Sequence, residues 1–200
     1  TTNNAVKMYQ ELSNKSIRQI PNYKKPQDNR IDVNLDSLTD EQKQFLTNKP
    51  MAMEQILTDV RLPEIIKRID GQTIIYTEYL GTDDPTKTRI IDKIQSAVKL
   101  AGFSCGLYIG ENRSGLDKFK NKEIQVLIAS RPISTGIDGL QRVCSNLIFN
   151  TLPWTNAQYI QIIGRLVRTG QEKEVKIHHI LAGIKKYRYD HLKMGRINFK

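Results

Sequence analysis

The sequence of 200 residues predicts an α/β fold: a mostly parallel sheet flanked by helices, preceded by an N-terminal helical and linker segment. Three observations predict it. From about residue 72 onward, apolar runs of strand length alternate with amphipathic stretches of helix length. Strands joined through such helices imply right-handed crossovers, hence parallel neighbours and a sheet covered on both faces. Residues 1–70 differ: polar residues dominate, punctuated by Pro21, Pro26 and Pro63.

Each element has a local reason. Residues 21–34 read as an extended linker, with a strand over Ile31 to Leu35. Thr39-Asp40-Glu41-Gln42 is a capping-box pattern that opens a short helix to about Leu46. A longer helix runs from Ala52 to Ile69, interrupted or kinked near Pro63. Thr73 to Thr77 is the first strand of the alternating region. Asp84 caps the next helix with Pro85 in its first turn. Ile90, Ile91, Ile94, Ala97, Val98 and Ala101 form its buried stripe, and Gly102 ends it. Phe103 to Ile109 is a second strand, Ser114 to Lys120 a short helix, and Ile124 to Ala129 a third strand. Asn146 to Phe149 and Val175 to Leu181 are the fourth and fifth. Between those two, Thr155 and Asn156 cap a helix that runs to about Arg168. The tail from Lys185 to Lys200 carries Lys185, Lys186, Arg188, Lys193, Arg196 and Lys200, interleaved with Tyr187 and Tyr189. It reads as a solvated basic helix, with a nucleic-acid contact as the alternative. The expected division is therefore 1–70, 71–182 and 183–200.

Composition sets the outer limits. Thirty-one Lys and Arg against 21 Asp and Glu leave a net charge of +10. That suits a polyanionic partner, usually nucleic acid, or a generally basic surface. No apolar run approaches the ~20 residues of a membrane span. The chain opens on Thr1 with neither a cationic, apolar leader nor an initiator Met, so it is expected to be a piece of something longer. Cys105 and Cys144 are the two cysteines, and both are expected as buried free thiols in a reducing compartment. His178 and His179 are adjacent in a strand-like run and point to opposite faces, so a shared metal is not expected. No metal ligand set is predicted.

Parallel sheets bind ligands beyond the carboxyl ends of their strands. The loop Ser130 to Leu140 and the turn Asn150 to Trp154 thus lie on the expected working edge. The following helix places Gln161, Arg165 and Arg168 at i, i+4 and i+7, on one face. Tyr159, Ile162, Ile163, Leu166 and Val167 take the core-facing side. Two planar guanidinium forks and a glutamine suit a polyanion such as a nucleotide triphosphate. Read alone, the pattern describes a solvated basic face at least as well.

The upstream run changes that balance. Val126-Leu127-Ile128-Ala129-Ser130 leads into Arg131-Pro132-Ile133-Ser134-Thr135-Gly136-Ile137-Asp138. It resembles the fifth conserved motif of superfamily-two helicases and translocases. The Gln-x-x-Gly-Arg-x-x-Arg pattern of Gln161 to Arg168 resembles their sixth. Their spacing, with Leu152-Pro153 between, is similar to DEAD-box and Swi/Snf-type enzymes. Trp154, the ending Arg168-Thr169-Gly170-Gln171 and the strand Glu174 to Leu181 resemble the Swi/Snf group more closely. Ser37 to Gln42 and Thr73 to Thr77 resemble that group too. The resemblance spans roughly residues 30 to 182.

The resemblance implies the second, C-terminal RecA-like lobe of the P-loop NTPase type. In that family two lobes clamp ATP with Mg²⁺, and the first lobe supplies the phosphate loop and the acidic magnesium motif. Here no Gly-x-x-x-x-Gly-Lys-Ser/Thr occurs, and Asp40-Glu41-Gln42 follows no apolar strand, so ATP and Mg²⁺ would be held mainly by another lobe. Alone, the chain is expected to hydrolyse no ATP. By resemblance Arg168 is the arginine finger, with Arg165 beside it on the γ-phosphate. Gln161 orients the attacking water or touches phosphate. Gly136 and Asp138 join both arginines around the nucleotide, Asp138 bridging the ribose and the arginine helix or simply capping a helix. Ser130, Ser134, Thr135, Tyr76, Thr77 and Gly110, with Glu111 next to it, are the nucleic-acid set; each has an ordinary packing or capping role as its alternative. Trp154 stacks on a base or anchors a hinge. The implied partners are double-stranded DNA and the first lobe, in an intracellular setting (a microbe, a virus-infected cell or a nucleus). Three other readings stay open: a non-catalytic nucleic-acid-binding module of this fold, a DEAD-box-like RNA helicase, and a restriction-enzyme motor lobe.

Overall fold

Four-residue apolar runs make the centre of the molecule. The structure is a computed structural model that describes residues 27–33, 50–82, 86–184 and 189–198. Its strands are β1 (Gln27–Val33), β2 (Thr73–Tyr76), β3 (Cys105–Tyr108), β4 (Val126–Ala129), β5 (Asn146–Phe149) and β6 (Lys176–Ile184). Its helices are α1 (Pro50–Ile66), α2 (Ile90–Leu100), α3 (Gly115–Lys120), α4 (Asn156–Ile163) and α5 (Tyr189–Asn198). β2, β4 and β5 are buried at every position, as strands covered on both faces must be. They lie in one six-stranded sheet of order β1-β6-β5-β2-β4-β3, with every pairing parallel. Sequence and space diverge between β2 and β3, whose places are bridged by β4, so the chain must cross over through helices.

Alternation along each strand builds two cores. Ile74, Tyr76, Leu127, Ala129, Leu147 and Phe149 face one side, with Phe119 of α3, Ile162 and Ile163 of α4, and Met194 and Ile197 of α5. Ile75, Val126, Ile128 and Ile148 face the other, with Ile65 of α1 and Ile90, Ile91, Ile94 and Val98 of α2. The predicted α/β class and two-sided cover are observed.

Several boundaries differ from expectation. The first strand is Gln27–Val33 rather than 31–35, and it pairs along the whole of β6 from Gln27↔His178 to Val33↔Ile184. β1 pairs with β6, and α1 packs against β6 and β1. Pro63 lies inside α1, which ends three residues later, so the interruption expected there falls in the helix's last turn. α2 starts at Ile90, with extended Arg89 as its cap, not at Asp84. Ala97 is half-buried, and Ala101, beyond the helix end, is exposed, so neither completes the stripe. Gly102 does end it, at φ +87°. α5 packs on β6 and α4 and contributes core residues, so it is no free tail. The pattern Thr39 to Gln42, the short helix to Leu46, Asp84, Pro85 and the basic residues Lys185, Lys186, Arg188 and Lys200 lie outside the described residues.

Candidate functional site

The carboxyl ends of β2, β3, β4 and β5 are laced together by main-chain bonds just past the strands. Thr77 N donates to Ala129 O at 2.9 Å, Asn150 N to Tyr76 O at 2.9 Å, and Ser130 N to Tyr108 O at 3.2 Å. Side chains continue the lacing. Asn150 Nδ2 donates to Thr58 Oγ1 of α1 at 3.1 Å and to Thr77 Oγ1 at 3.3 Å. Glu78 N donates to Thr151 Oγ1 at 2.5 Å. This edge is a rigid platform, and the loop after β4 stands on it.

That loop folds tightly. Arg131–Ser134 is a 3-10 turn, in which Ser134 Oγ donates to Arg131 O at 2.8 Å. Thr135 Oγ1 donates to Pro132 O at 3.3 Å. Gly136 follows at φ +66°, where a side chain would be strained. Ile137 plugs into the core, and Asp138 projects back out. Asp138 Oδ1 accepts from its neighbour Gly139 N at 2.9 Å and from Arg168 Nη1 at 2.9 Å. The Gly139 amide first, and Arg168 second, hold the Asp138 carboxyl below the usual carboxylate range.

The helix that presents the arginines is shorter than predicted. Thr155 caps α4 as expected, its hydroxyl accepting from Gln158 N at 3.2 Å. α4 then ends at Ile163, and the chain tightens: Arg165 N bonds Ile162 O at 3.1 Å and Leu166 N bonds Ile163 O at 2.9 Å. Gln161, Arg165 and Arg168 therefore do not share one helical face. Ile162, Ile163, Leu166 and Val167 are buried as expected. Gln161 is exposed. Arg165 turns inward, its Nη1 donating to Ile137 O at 2.8 Å and its Nη2 to Ser134 O. Its fork is engaged by the carbonyls of Ile137 and Ser134, whereas the resemblance set it beside Arg168 on the γ-phosphate. Arg168 is different: its side chain is 41% exposed and bound to an Asp138 carboxylate that is itself mostly in solvent.

The remaining expected residues divide by burial. Thr135 and Gly110 are exposed on the working edge, with Glu111 beside Gly110 paired to Arg89 at 3.1 Å. Ser130 and Ser134 are buried within the loop. Tyr76 and Thr77 are fully buried, so neither side chain is placed to touch a nucleic acid. The Tyr76 hydroxyl donates to Glu78 Oε2, and burial first, then Glu78, pushes its pKa far up. Thr77 Oγ1 donates to Tyr79 O at 2.9 Å. Trp154 lies edge-on to Tyr79, ring centroids 6.1 Å apart, and Lys193 Nζ of α5 stands 4.7 Å from its ring. That is an anchoring arrangement with one side left open.

Two clusters escaped the sequence reading. Glu78, Arg131 and Gln158 meet at the carboxyl edge. Glu54, Arg61, Asp190 and Lys193 form a buried ion network between α1 and α5. Only the position of Glu78, just past a strand end, and of Arg131, next to Ser130, gave any signal. Among the described residues no His, Cys, Asp or Glu group suits a metal ion, and no helix is long and apolar enough to cross a membrane. A cleft of about 940 Å³ opens at the opposite, amino edge of the sheet, lined by Gln72, Lys122, Gln125, Arg142 and Lys173 among others. No residue of the two motifs borders it, and the chemistry points to the carboxyl edge instead.

A parallel sheet of this order, covered by helices on both faces, is a RecA-like lobe. Residues 52–170 match the helicase conserved C-terminal domain family, and the chain belongs to that family. It is 33% identical over 121 residues to the uncharacterized ATP-dependent helicase YqhH of Bacillus subtilis (strain 168), a match covering 60% of this chain and 21% of that protein. The chain thus spans about a fifth of the length of its curated relative. Among solved structures it is similar to S. cerevisiae Dbp5 bound to RNA and ADP BeF3, with a TM-score of 0.50 and 20% identity, covering 72% of this chain and 37% of that one. A Dbp5 variant bound to Gle1 and IP6 gives a TM-score of 0.52 at 20% identity, covering 73% and 37%. At such identities the likeness is one of fold.

Proposed function

We propose that this chain is the C-terminal motor lobe of an ATP-dependent DNA helicase or translocase of the Swi/Snf type, acting inside the cell with a first RecA-like lobe. The observation that carries the reading is Arg168: a solvent-reached guanidinium restrained by one exposed carboxylate, that of Asp138 at the end of the loop after β4. When the lobes close, Arg168 leaves Asp138 and meets the charge that develops on the transferred phosphoryl. Phosphoryl transfer depends on such positioning and charge stabilisation more than on covalent help. ATP with Mg²⁺ would rest mainly on the first lobe, which in the family that the two motifs resemble supplies the phosphate loop and the acidic magnesium motif. Asp138, freed of Arg168, faces the ribose, and exposed Gln161 orients water. Gly136 gives the backbone a turn close to the nucleotide. Arg165 acts as a positioning residue by holding the loop through the carbonyls of Ser134 and Ile137.

The same loop grips nucleic acid. Thr135 and Gly110 lie open on the edge, where contacts to backbone phosphates position a strand without reading its sequence, and Ser130 and Ser134 shape the loop beneath them. Trp154 and the ending Arg168 to Gln171 favour a duplex DNA tracker over an RNA helicase. The test joins this chain in cis to the first lobe of the B. subtilis relative and compares DNA-stimulated ATP turnover. Where the wild-type fusion turns over, Arg168→Ala is expected to lose roughly 10³- to 10⁵-fold in rate. Turnover unchanged by that substitution removes the finger and the reading with it.

A further inference from the structure

Glu78 holds a carboxylate where water does not reach: its side chain is 1% exposed. Both oxygens are engaged. Oε2 accepts from the Tyr76 hydroxyl and from Gln158 Nε2 at 3.1 Å, and Oε1 accepts from Arg131 Nε at 2.5 Å. Gln158 Nε2 also donates to the Tyr76 hydroxyl at 3.0 Å. A buried carboxylate needs a cation, and Arg131 supplies it. Yet the arginine does not turn its fork inward. Its side chain is 67% exposed, and it meets Glu78 through Nε alone. Among the described residues, neither terminal nitrogen makes a hydrogen bond. A counter-ion would be better served by two parallel bonds to the carboxylate. What this geometry gives is a guanidinium clamped at its root, with its planar outer edge held toward solvent. That edge matches a phosphate in shape and charge. It stands directly after Ser130, on the sheet edge where Thr135 and Gly110 are also open.

We propose that Arg131 is a contact to the phosphodiester backbone of nucleic acid, aimed by Glu78, and that Glu78 is its positioning residue. Gln158 ties the same carboxylate to α4, the helix that leads into Arg165 and Arg168. A phosphate pulling on Arg131 therefore bears on the helix that presents the finger. The inference deepens the nucleic-acid grip of the proposed function and rests on it.

The experiment measures fluorescence anisotropy of the 200-residue chain with labelled duplex DNA and with single-stranded RNA of one strand's sequence, each over a potassium chloride series. For Arg131→Ala the dependence of log affinity on log salt should lose about one counterion in slope, and affinity near 0.1 M salt should fall roughly tenfold. Loss on either probe supports the proposal, and the probe that loses more identifies the preferred backbone. Because Arg131→Ala leaves a buried carboxylate without its cation, the double variant Glu78→Gln with Arg131→Ala is measured beside it, with circular dichroism to follow folding. It should lose the same slope with the charge imbalance removed. Arg131→Lys should keep the slope and lose part of the affinity, since Lys offers the charge without the fork. Glu78→Gln alone should lower affinity with the slope intact, because the charge stays and only its aim is lost. Wild-type binding whose slope and affinity survive in both Arg131→Ala and the double variant would overturn this inference alone. A wild-type chain with no salt-dependent binding to either probe would overturn the proposed function as well.

Discussion

Arg61→Met is the substitution that most directly tests how the lobe is held together. Arg61 is fully buried, with Nη1 2.7 Å from Glu54 Oε2 and Nη2 2.6 Å from Asp190 Oδ2. Lys193 Nζ takes the other oxygen of Glu54 at 3.1 Å, and Ala182 N donates to Asp190 Oδ2 at 2.7 Å. Burial opposes the Arg61 charge, but Asp190 and Glu54 outweigh it and raise its pKa. For Asp190 burial wins: its carboxyl is driven upward, with Arg61 opposing and the like charge of Glu54 adding. Both shifts are upward, favouring the charged form of Arg61 but the neutral form of Asp190: one guanidinium serves two carboxylates, so Asp190 is the undercompensated partner. Met fills the volume, leaving the electrostatic loss. Breaking a buried pair costs about 3 to 5 kcal/mol. Lys193 still covers Glu54, so the lower end, about 3 kcal/mol, is expected, or roughly 6 to 12 °C in Tm for a chain this size. Urea unfolding followed by circular dichroism measures it. Adding Asp190→Asn should recover most of the loss, since the amide leaves no charge to bury. A loss under about 1 kcal/mol for Arg61→Met would refute the claim that this network bolts α5 to the lobe.

Three further outcomes are expected. Gly115→Ala puts a Cβ 2.7 Å from both Leu107 N and Leu107 O, backbone atoms of β3 that cannot swing aside; a loss of about 1 to 3 kcal/mol in urea unfolding should follow, and a neutral result would mean α3 is free to back away. Cys144 is buried and its thiol is pushed up to about 12, chiefly by burial. The folded thiol thus keeps its proton while the unfolded one releases it above about 9, so stability should fall as pH rises from about 9 toward 12, by up to about 1.4 kcal/mol per pH unit. Cys144→Ala should flatten that fall, and an unchanged slope would assign it to other groups. Arg165→Ala should cost the lone chain about 1 to 3 kcal/mol and expose residues 131–138 to proteolysis, because two loop carbonyls lose their donor; Arg168→Ala should leave stability within about 0.5 kcal/mol. Equal effects from the two substitutions would contradict their separate roles.

What could be read in the sequence was local. β2, β4 and β5 are apolar runs bounded by polar turns, and their limits fell within two residues of expectation. Thr155 announced its helix because capping depends on a residue three positions away. β1 was misplaced by four residues because Gln27-Asp28-Asn29-Arg30 carries no strand pattern; its pairing with β6 defines it. α4 was drawn too long because the periodicity continues to Val167, while the chain tightens after Gly164 to bring Arg165 under the loop. The two polar clusters were invisible for a simpler reason. Asp190 lies 129 residues from Arg61, and Arg131 lies 53 from Glu78. No window along the chain contains both partners, and only the parallel crossovers bring them to one edge.

The two arginines of one short motif follow different rules because their resting partners differ. A finger must leave its partner at little cost and arrive where charge develops, since its contribution of about 4 to 7 kcal/mol counts only in the transition state. Arg168 meets that requirement: its partner Asp138 is exposed and screened, and its carboxylate keeps the Gly139 amide when the guanidinium departs. Arg165 does not. Removing it from Ser134 and Ile137 would strand two carbonyls of a loop that is otherwise closed by its own turns. That loop begins at Arg131 and ends at Asp138, so the proposed nucleic-acid contact and the resting place of the proposed finger are two ends of one braced segment. Strain applied at Arg131 reaches Asp138 through a span that Arg165 stiffens, and a looser residue at 165 would let the two ends move apart without either arginine of the working edge being touched.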